Sequence, residues 1–574
     1  MNEIGSARRE KFLLIAAAVF AVIVTFMNLG SDGMYAAQEG RTAIIVRNML
    51  LSGNCMDTDV PYRVLYEKPI GHYWLCLPFA KLFRLDAPDP LDVPVEWALR
   101  LPSALSALLA IALAAVLAAR IYRRRTAAVV MVVLSSMMTF CNLAHVAHID
   151  MPLAAAFTAA MYFLYVGYLE EMRCNNWIYG FYAALGWAAV LKGPVAVILA
   201  GLVVLAMMLK TRRWRMLWEM RPLTGGALLL LLALPWYVAE TVRTNGEFYR
   251  EFIVNQNLRR FTGIGSTYRD GEWMPIWYYL PRLFTGALPW SLAVIPALIV
   301  YRKKLLKLEF RTETVFLALW FLTGFVFFSL SALKRGDYLA PIYPPLAILT
   351  ARAVELACER MPPLSRRWRW GFGALVGFSV VLLTINFTGV LIRFGRAILD
   401  RRIRWISKGD GNNIIAFSEY VNGRFLLTVA VFVLMLALIG WCGRLMEKRR
   451  YFAGFQVVTL VVLVIFTAYY WVLSPGTDRL RSLKPLVRES RKIPIKKAIY
   501  TGNYRAEVAF FLNRDFVYDA EVETDIPPEF DTVITSPSKA KMLNPALWKE
   551  VLRTESGHKY PLILLQRTAP SEAH

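Results

Sequence analysis

Two short runs between the first two hydrophobic segments hold the side chains best suited to chemistry. Gln38-Glu39-Gly40-Arg41 and Tyr66-Glu67-Lys68-Pro69 set carboxylates and cations beside apolar sequence. An ionisable group there is costly unless it is used or paired. The stretch therefore reads as the active-site loop of an enzyme working at a membrane surface. Three further positions share this character: Asp150, which follows His145 and His148; Lys192 in Lys192-Gly193-Pro194; and Lys334 in the turn that runs to Tyr338. Each also has a plainer reading. Asp150, with Pro152 two residues on, suits a helix N-cap. The lysines suit interfacial snorkelling or charge pairing, and the two histidines suit a loop or cap more than a shared metal.

The elements that must hold these groups are set by composition. Of 574 residues, 57% are apolar and only 19% charged, and the apolar residues come in long blocks, so the chain is an α-helical polytopic membrane protein. A formal charge of +24 would suit a nucleic-acid partner. The cations, however, fall in clusters at the ends of apolar runs: Arg8-Arg9, Arg123 to Arg125, Lys210 to Arg215, Arg302 to Lys304, Arg366 to Arg369 and Lys448 to Arg450. That is the positive-inside pattern, so the basicity is topology and no nucleic acid is expected.

Runs long enough to cross begin near Phe12, Leu101, Thr126, Met151, Trp177, Pro194, Leu223, Thr285, Thr314, Tyr338, Gly371, Phe425 and Phe452, or roughly thirteen spans. The basic Met1 to Lys11 reads as the flank of a retained first helix rather than of a cleaved signal peptide. An odd count puts the N-terminus in the cytoplasm and the tail outside. Residues 1–474 form the membrane unit, with its active-site loop over 30–100, and 475–574 a small soluble α/β unit outside. The tail alternates in short runs, Val508 to Phe511, Phe516 to Tyr518, Thr532 to Ile534 and Leu562 to Leu565, and shows no catalytic constellation. Within the first loop, the periodicity of Ala36 to Leu51 predicts a helix lying in the membrane interface, and Gly71 to Phe83 a second. Of six cysteines, none shows CxxC spacing; only Cys55 and Cys76 share a loop, where a bridge is one possibility.

An ordered set of motifs runs through the first 350 or so residues: Glu39 to Asn54, Tyr66 to Pro69 with His72 to Trp74, Arg100 to Ser103, Ile149 to Pro152, Lys192 to Pro194, Arg260-Phe261, Pro275 to Pro281 and Gly286 to Trp290. It resembles the bacterial aminoarabinose transferases of lipid A and their relatives among the GT-C glycosyltransferases, which include the protein O-mannosyltransferases. The resemblance implies transfer of a sugar from undecaprenyl phosphate to lipid A or another envelope acceptor, on the periplasmic side of a bacterial inner membrane, with inversion and no nucleotide donor. A Ser/Thr-directed mannosyltransferase is the alternative within that family. A lipid transporter or flippase is the alternative outside it, although the halves do not repeat as a transporter's would.

Displacing a lipid phosphate needs a positive charge on the leaving group and a group that positions or deprotonates the nucleophile. Arg41, Lys68, Lys192 and Lys334 are the candidate phosphate contacts, Glu39, Glu67 and Asp150 the candidate catalytic carboxylates, and Gln38, Tyr66, Trp277 and Tyr278 candidate lining residues. The aromatic run Trp273 to Tyr279 equally suits an interfacial belt. The chain departs from the family pattern at three places. Gln38 stands where relatives carry Asp, and an amide takes no proton at neutral pH. Either Glu39 or Asp150 is then the base, or the acceptor is already an anion. Glu272 replaces a histidine, which makes Glu67 and Glu272 candidate ligands for a divalent cation, Mg²⁺, Mn²⁺ or Zn²⁺, with oxygen ligation favouring the first two. Gln256-Asn257 replace Glu-His. The chain is expected to act as a monomer.

Overall fold

In the computed structural model, the residues described are 3–31, 33–34, 37–56, 58, 68–259, 262, 274–293, 311–360, 393, 418, 423–473, 482–501, 506–512, 516–518, 526–554 and 561–568. Tyr66, Glu67, Glu272 and the span expected near Gly371 lie outside them.

The helices follow the apolar blocks. α1 (Glu3–Phe26) and α4 (Val95–Ile121) flank the first loop, which folds into α2 (Ala37–Ser52) and α3 (Gly71–Leu82). Then come α5 (Arg124–Ser135), α6 (Met138–Ala144), α7 (Asp150–Leu164), α8 (Ile178–Lys192), α9 (Val195–Thr211), a single turn α10 (Met216–Glu219) and α11 (Pro222–Arg243). After α12 (Tyr279–Gly286) follow α13 (Thr312–Leu330), α14 (Tyr343–Arg360), α15 (Phe425–Glu447) and α16 (Tyr451–Thr467). Among the described residues, six helices are long and apolar enough to cross a membrane. A seventh crossing is made if α5 and α6, bent by 71°, form one broken span, while α8 and α9 are shorter apolar helices.

Leu230, Leu231, Leu234 and Val238 of α11 and Leu426, Val433 and Leu434 of α15 are exposed. Such continuous apolar surface belongs against lipid. The inward faces are built of small residues, among them Ala107, Ala110, Ala114 and Ala118 of α4, which let α4 pack closely on α5 and α7.

The two ends of the bundle differ chemically. At one end Arg120 meets Glu170 at 2.8 Å, and the fully buried Glu355 faces Arg123 at 3.5 Å and Arg352 at 3.2 Å. Asp150 lies at the other end of the 20-residue segment Asp150–Leu169, about 30 Å away along a helix and so the depth of a hydrocarbon core.

The C-terminal part is a five-stranded sheet of order β2-β1-β3-β5-β4, made of β1 (Ala498–Tyr500), β2 (Phe516–Tyr518), β3 (Thr532–Thr535), β4 (Trp548–Arg553) and β5 (Ile563–Arg567). β1 runs parallel to β2 and β3, and β5 antiparallel to β3 and β4. Residues 508–511, expected to alternate as a short run, lie instead in the helix α18 (Ala506–Leu512), which follows the helix α17 (Lys484–Ser490). Alternation along the strands gives the sheet two buried faces. Ile499, Val533, Ile563 and Leu565 face Phe530 and Trp548. Tyr500, Ile534 and Leu564 face the first loop, in one core with Val46 and Met49 of α2 and Tyr73 of α3.

The C-terminal sheet is thus docked on α2 and α3 of the first loop. α18 packs on α2, where the Arg47 guanidinium lies over the Phe510 ring and donates to Ala87 O at 2.9 Å, while Glu39 is buried against Arg100 of α4. Two ion pairs complete the docking. Lys484 meets Glu96 at 2.7 Å with both buried, and Arg491 makes a bidentate pair with Asp89.

Candidate active site

A cavity of about 110 Å³ opens where α7, α8 and the turn before α14 meet. Its polar lining is Lys68, Asp150, Lys192, Gln256, Asn257, Ser331 and Tyr338; Phe252, Phe327 and Phe328 are its principal apolar walls. The helices α7 and α8 form an antiparallel pair, so the N-terminus of one meets the C-terminus of the other. Asp150 is the first residue of α7 and Lys192 the last of α8, where each helix dipole favours the charge it carries.

Two glycines make this junction possible. Gly193 ends α8 with φ at 91°, and a Cβ there would lie 2.9 Å from Phe252, so the chain turns tightly into α9. At Gly71 a Cβ would lie 2.7 Å from Val190 O, so α3 lies directly against α8 just before Lys192.

Asp150 is 1% exposed. Its side chain does not cap α7, whose capping position is Ile149. Instead Lys192 Nζ donates to Oδ1, and His148 Nδ1 lies 2.8 Å from Oδ2. Nε2 of His148 points towards Asp337, 3.8 Å away, and Asp337 is paired with Arg335 at 3.1 Å. Lys192 Nζ also lies 4.4 Å over the Tyr338 ring. His148, Asp150 and Asp337 thus bring three ligand atoms within 4.8 Å of one another, a donor set that fits a divalent cation in competition with Lys192 and Arg335.

Glu39 stands elsewhere. It is buried in a clasp: Arg100 Nε donates to Oε1 at 2.9 Å, and so does the amide of Ala147, also at 2.9 Å. Arg100 further donates to the carbonyls of Leu29, Ser31 and Gly33, and Ser103 Oγ accepts from the His148 amide at 3.4 Å. Glu39, expected to act on substrate, therefore does not line the cavity; it ties α2 and α4 to the turn that presents His148 and Asp150. Desolvation explains the placement, since a carboxylate with two such donors on one oxygen is stable where an open one is not.

Gln38 and Arg41, one turn of α2 around Glu39, are likewise absent from the cavity lining. Lys334 Nζ donates to Ser331 O at 2.6 Å and Met274 O at 3.0 Å, which ties its own turn to the segment before α12. Trp277 is 65% exposed and Tyr278 half-buried under Arg282, both away from the cavity, as interfacial aromatics are. His145 is held by the carbonyls of Cys141 and Met27 and stacked on Tyr470. Cys55 is exposed and Cys76 buried, and both are free thiols. Arg100 entered the sequence reading only as the head of the Arg100 to Ser103 motif, and Asp337 only inside the turn from Lys334 to Tyr338, neither as a site residue. A lone arginine inside the long apolar run of α4 was the available signal for the first; Asp337, in a charged turn, offered none.

The geometry can be set beside known proteins. Residues 67–238 match the family described as dolichyl-phosphate-mannose-protein mannosyltransferase. The undecaprenyl phosphate-alpha-4-amino-4-deoxy-L-arabinose arabinosyl transferase of Pseudomonas aeruginosa (strain UCBPP-PA14) is 30% identical over 359 residues, 61% of this chain and 60% of that one. Its counterpart 2 in Proteus mirabilis (strain HI4320) is 29% identical over 60% of each. The chain thus spans about 60% of the length of these curated relatives. The crystal structure of ArnT from Cupriavidus metallidurans bound to undecaprenyl phosphate superposes with a TM-score of 0.74 over 97% of this chain and 98% of that one, at 22% identity. The chain has the ArnT fold. The apo crystal structure of the Cupriavidus metallidurans ArnT superposes with a TM-score of 0.71. The resemblance drawn from the ordered motifs is the one these comparisons find, and the ArnT-like likeness extends through the C-terminal sheet, where the motifs do not reach.

Proposed function

We propose that the protein is an inverting glycosyltransferase that moves a sugar from a polyprenyl phosphate, of the undecaprenyl kind, to lipid A or another envelope acceptor. The observation that carries this reading is the cavity itself, where Lys68 and Lys192 converge beside Asp150 against a phenylalanine wall. Lys68 and Lys192 hold the phosphate of the donor, and Phe327 and Phe328 meet the start of its prenyl chain. The acceptor oxygen attacks C1 of the sugar, the bond from C1 to the phosphate oxygen breaks, and polyprenyl phosphate leaves with the negative charge that the lysines stabilise. Where the acceptor is a hydroxyl, Asp150 takes its proton; where it is a phosphate, no proton moves. Lys192 and His148 keep Asp150 oriented until then.

The match of 67–238 to the mannosyltransferase family supports a Ser/Thr acceptor as the second reading. The proposed topology has about thirteen crossings of a bacterial inner membrane, with the N-terminus cytoplasmic and residues 475–574 periplasmic, and the protein acts as a monomer. Support comes from the separation of the Arg120 and Arg123 end from the Asp150 end. Glu67 and Glu272 remain proposed cation ligands. Among the described residues, His148, Asp150 and Asp337 would hold such an ion, which would add positive charge beside the leaving phosphate. Transfer that survives EDTA and does not rise with added Mg²⁺, Mn²⁺ or Zn²⁺ removes the ion from the proposal.

Purified protein given radiolabelled polyprenyl-phosphate sugar and envelope lipids should release polyprenyl phosphate and label an acceptor. Lys68→Met should raise the donor KM at least tenfold. A chain that moves the labelled lipid across vesicles without cleaving it would be a flippase, and the reading would fail.

A further inference from the structure

Three polar residues on one face of α4 join the C-terminal unit to the turn that carries His148 and Asp150. Glu96, Arg100 and Ser103 are spaced four and three apart, so they stack along the helix over about 10 Å, and all three are buried. Glu96 receives Lys484 Nζ on both oxygens, at 2.7 and 2.9 Å, and accepts from the Gly33 amide at 3.4 Å. Arg100 takes the Gly33 carbonyl at 2.6 Å and holds Glu39, which accepts from the Ala147 amide. Ser103 Oγ accepts from the next amide, that of His148. The turn before α7 is thus set from α4, and the start of α4 is set from Lys484.

The start of α4 needs that anchor. Pro102 has no amide to offer the Ala98 carbonyl, so the first turns of the helix are joined to the rest by one hydrogen bond fewer. Among the described residues, Lys484 is the cation that meets Glu96. Lys484 opens α17, where the helix dipole gives a cation nothing, so its placement serves Glu96 and not its own helix. Gly33 lies against Ser482 with φ at 107°, a conformation that a side chain would strain. The lysines that face the cavity come from elsewhere: Lys192 ends α8, and Lys68 stands before α3.

Resting on the glycosyltransferase reading above, we infer that Lys484 is a positioning residue for sugar transfer. Through Glu96 it braces the α4 face that fixes Ala147 and His148, and so the placing of Asp150, without touching the donor phosphate. Losing its amine leaves Glu96 buried without its cation, and the first turns of α4 shift to rehydrate the carboxylate.

The test compares Lys484→Met with wild type, full-length in nanodiscs and well below the melting temperature of either. Hydrogen exchange in the peptide from His145 to Ile149 should quicken at least tenfold while α7 and α8 stay protected. Release of polyprenyl phosphate is then followed with envelope lipids as acceptor and polyprenyl phosphate carrying 4-amino-4-deoxyarabinose, arabinose or mannose as donor. With a donor that wild type uses, kcat should fall at least tenfold and the donor KM stay within twofold; Lys484→Arg should keep kcat within threefold of wild type. In an Asp150→Asn background the same Lys484→Met change should cost less than twofold, because its effect passes through Asp150. Glu96→Gln takes the place of Lys484→Met if that chain does not fold. An unchanged kcat, a loss carried by the donor KM, losses that multiply in the combined variant, or exchange that rises equally in α7 and α8 each overturn the inference and leave the glycosyltransferase reading in place. A wild type that releases no polyprenyl phosphate from any of the three donors overturns both.

Discussion

Arg100 and Glu39 are each about 1% exposed and meet at 2.9 Å, so the carboxylate in the first loop spends its charge on holding the fold together. The pair joins the start of α4 to the start of α2, and through the Ala147 amide it reaches the turn that carries Asp150. Breaking it leaves one charge buried and alone. Glu39→Ala and Arg100→Ala should each cost about 3–5 kcal/mol. The double replacement Glu39→Gln with Arg100→Met should cost less than the sum of its single changes. Thermal unfolding in detergent, arranged as a double-mutant cycle, measures the coupling; additive losses would mean that the pair is not a unit.

Asp150 and Lys192 meet across the helix junction and should behave as one element of the site. Asp150→Asn keeps the shape of the side chain and removes its charge. It should lower transfer at least 100-fold with the fold intact, and Lys192→Met should do the same. The combined variant should be little worse than either, as residues acting together are non-additive. Steady-state release of polyprenyl phosphate is the measurement, and full activity in Asp150→Asn would take the carboxylate out of the mechanism.

His72 imposes an acid limit on stability. Burial, reinforced by His148 and opposed by Asp150, pushes its imidazole down to about 3. In the unfolded chain it titrates near its ordinary value, about 6.5. The unfolded state therefore binds the extra proton between these values, and stability falls as pH drops through that window, by about 2 kcal/mol at pH 5. Replacement by a neutral residue of similar volume, His72→Phe or His72→Gln, should flatten the melting temperature against pH between 6.5 and 4. An unchanged slope would place the acid sensitivity elsewhere.

Lys484 and Glu96, buried together, fix the C-terminal sheet to the start of α4. Glu96→Ala should loosen this docking and expose α2. Hydrogen exchange should then rise in Ala37–Ser52 and in β1 and β3, while α7 and α8 stay protected. Exchange that rises evenly over the whole chain would instead report global destabilisation.

Much of the helical plan was legible in the sequence because a bilayer imposes a length and a polarity that composition reports directly. The starts of α7, α9 and α11 fall at or next to where the apolar runs begin, whereas α4 starts six residues before its run. The motif order pointed to the ArnT-like fold for the same reason that Lys192-Gly193-Pro194 reads as a turn: local chemistry was enough. Three strands of the sheet were visible as alternating runs, whereas β1 and β4 and the helical state of 508–511 were not, since short runs take their structure from what they pack on.

The fate of each charge was not legible at all. Glu39 and Asp150 look alike in sequence, each an acidic residue at the edge of an apolar run. Only the folded chain sends one to Arg100 and the other to Lys192 and His148, partners 61, 42 and 2 residues away. Whether a carboxylate serves the fold or faces a cavity depends on which donors arrive beside it, and those donors come from helices whose packing no local pattern encodes. The same holds for α2, whose periodicity states that it has a polar side but not that Arg47 will meet α18 and Glu39 will meet α4.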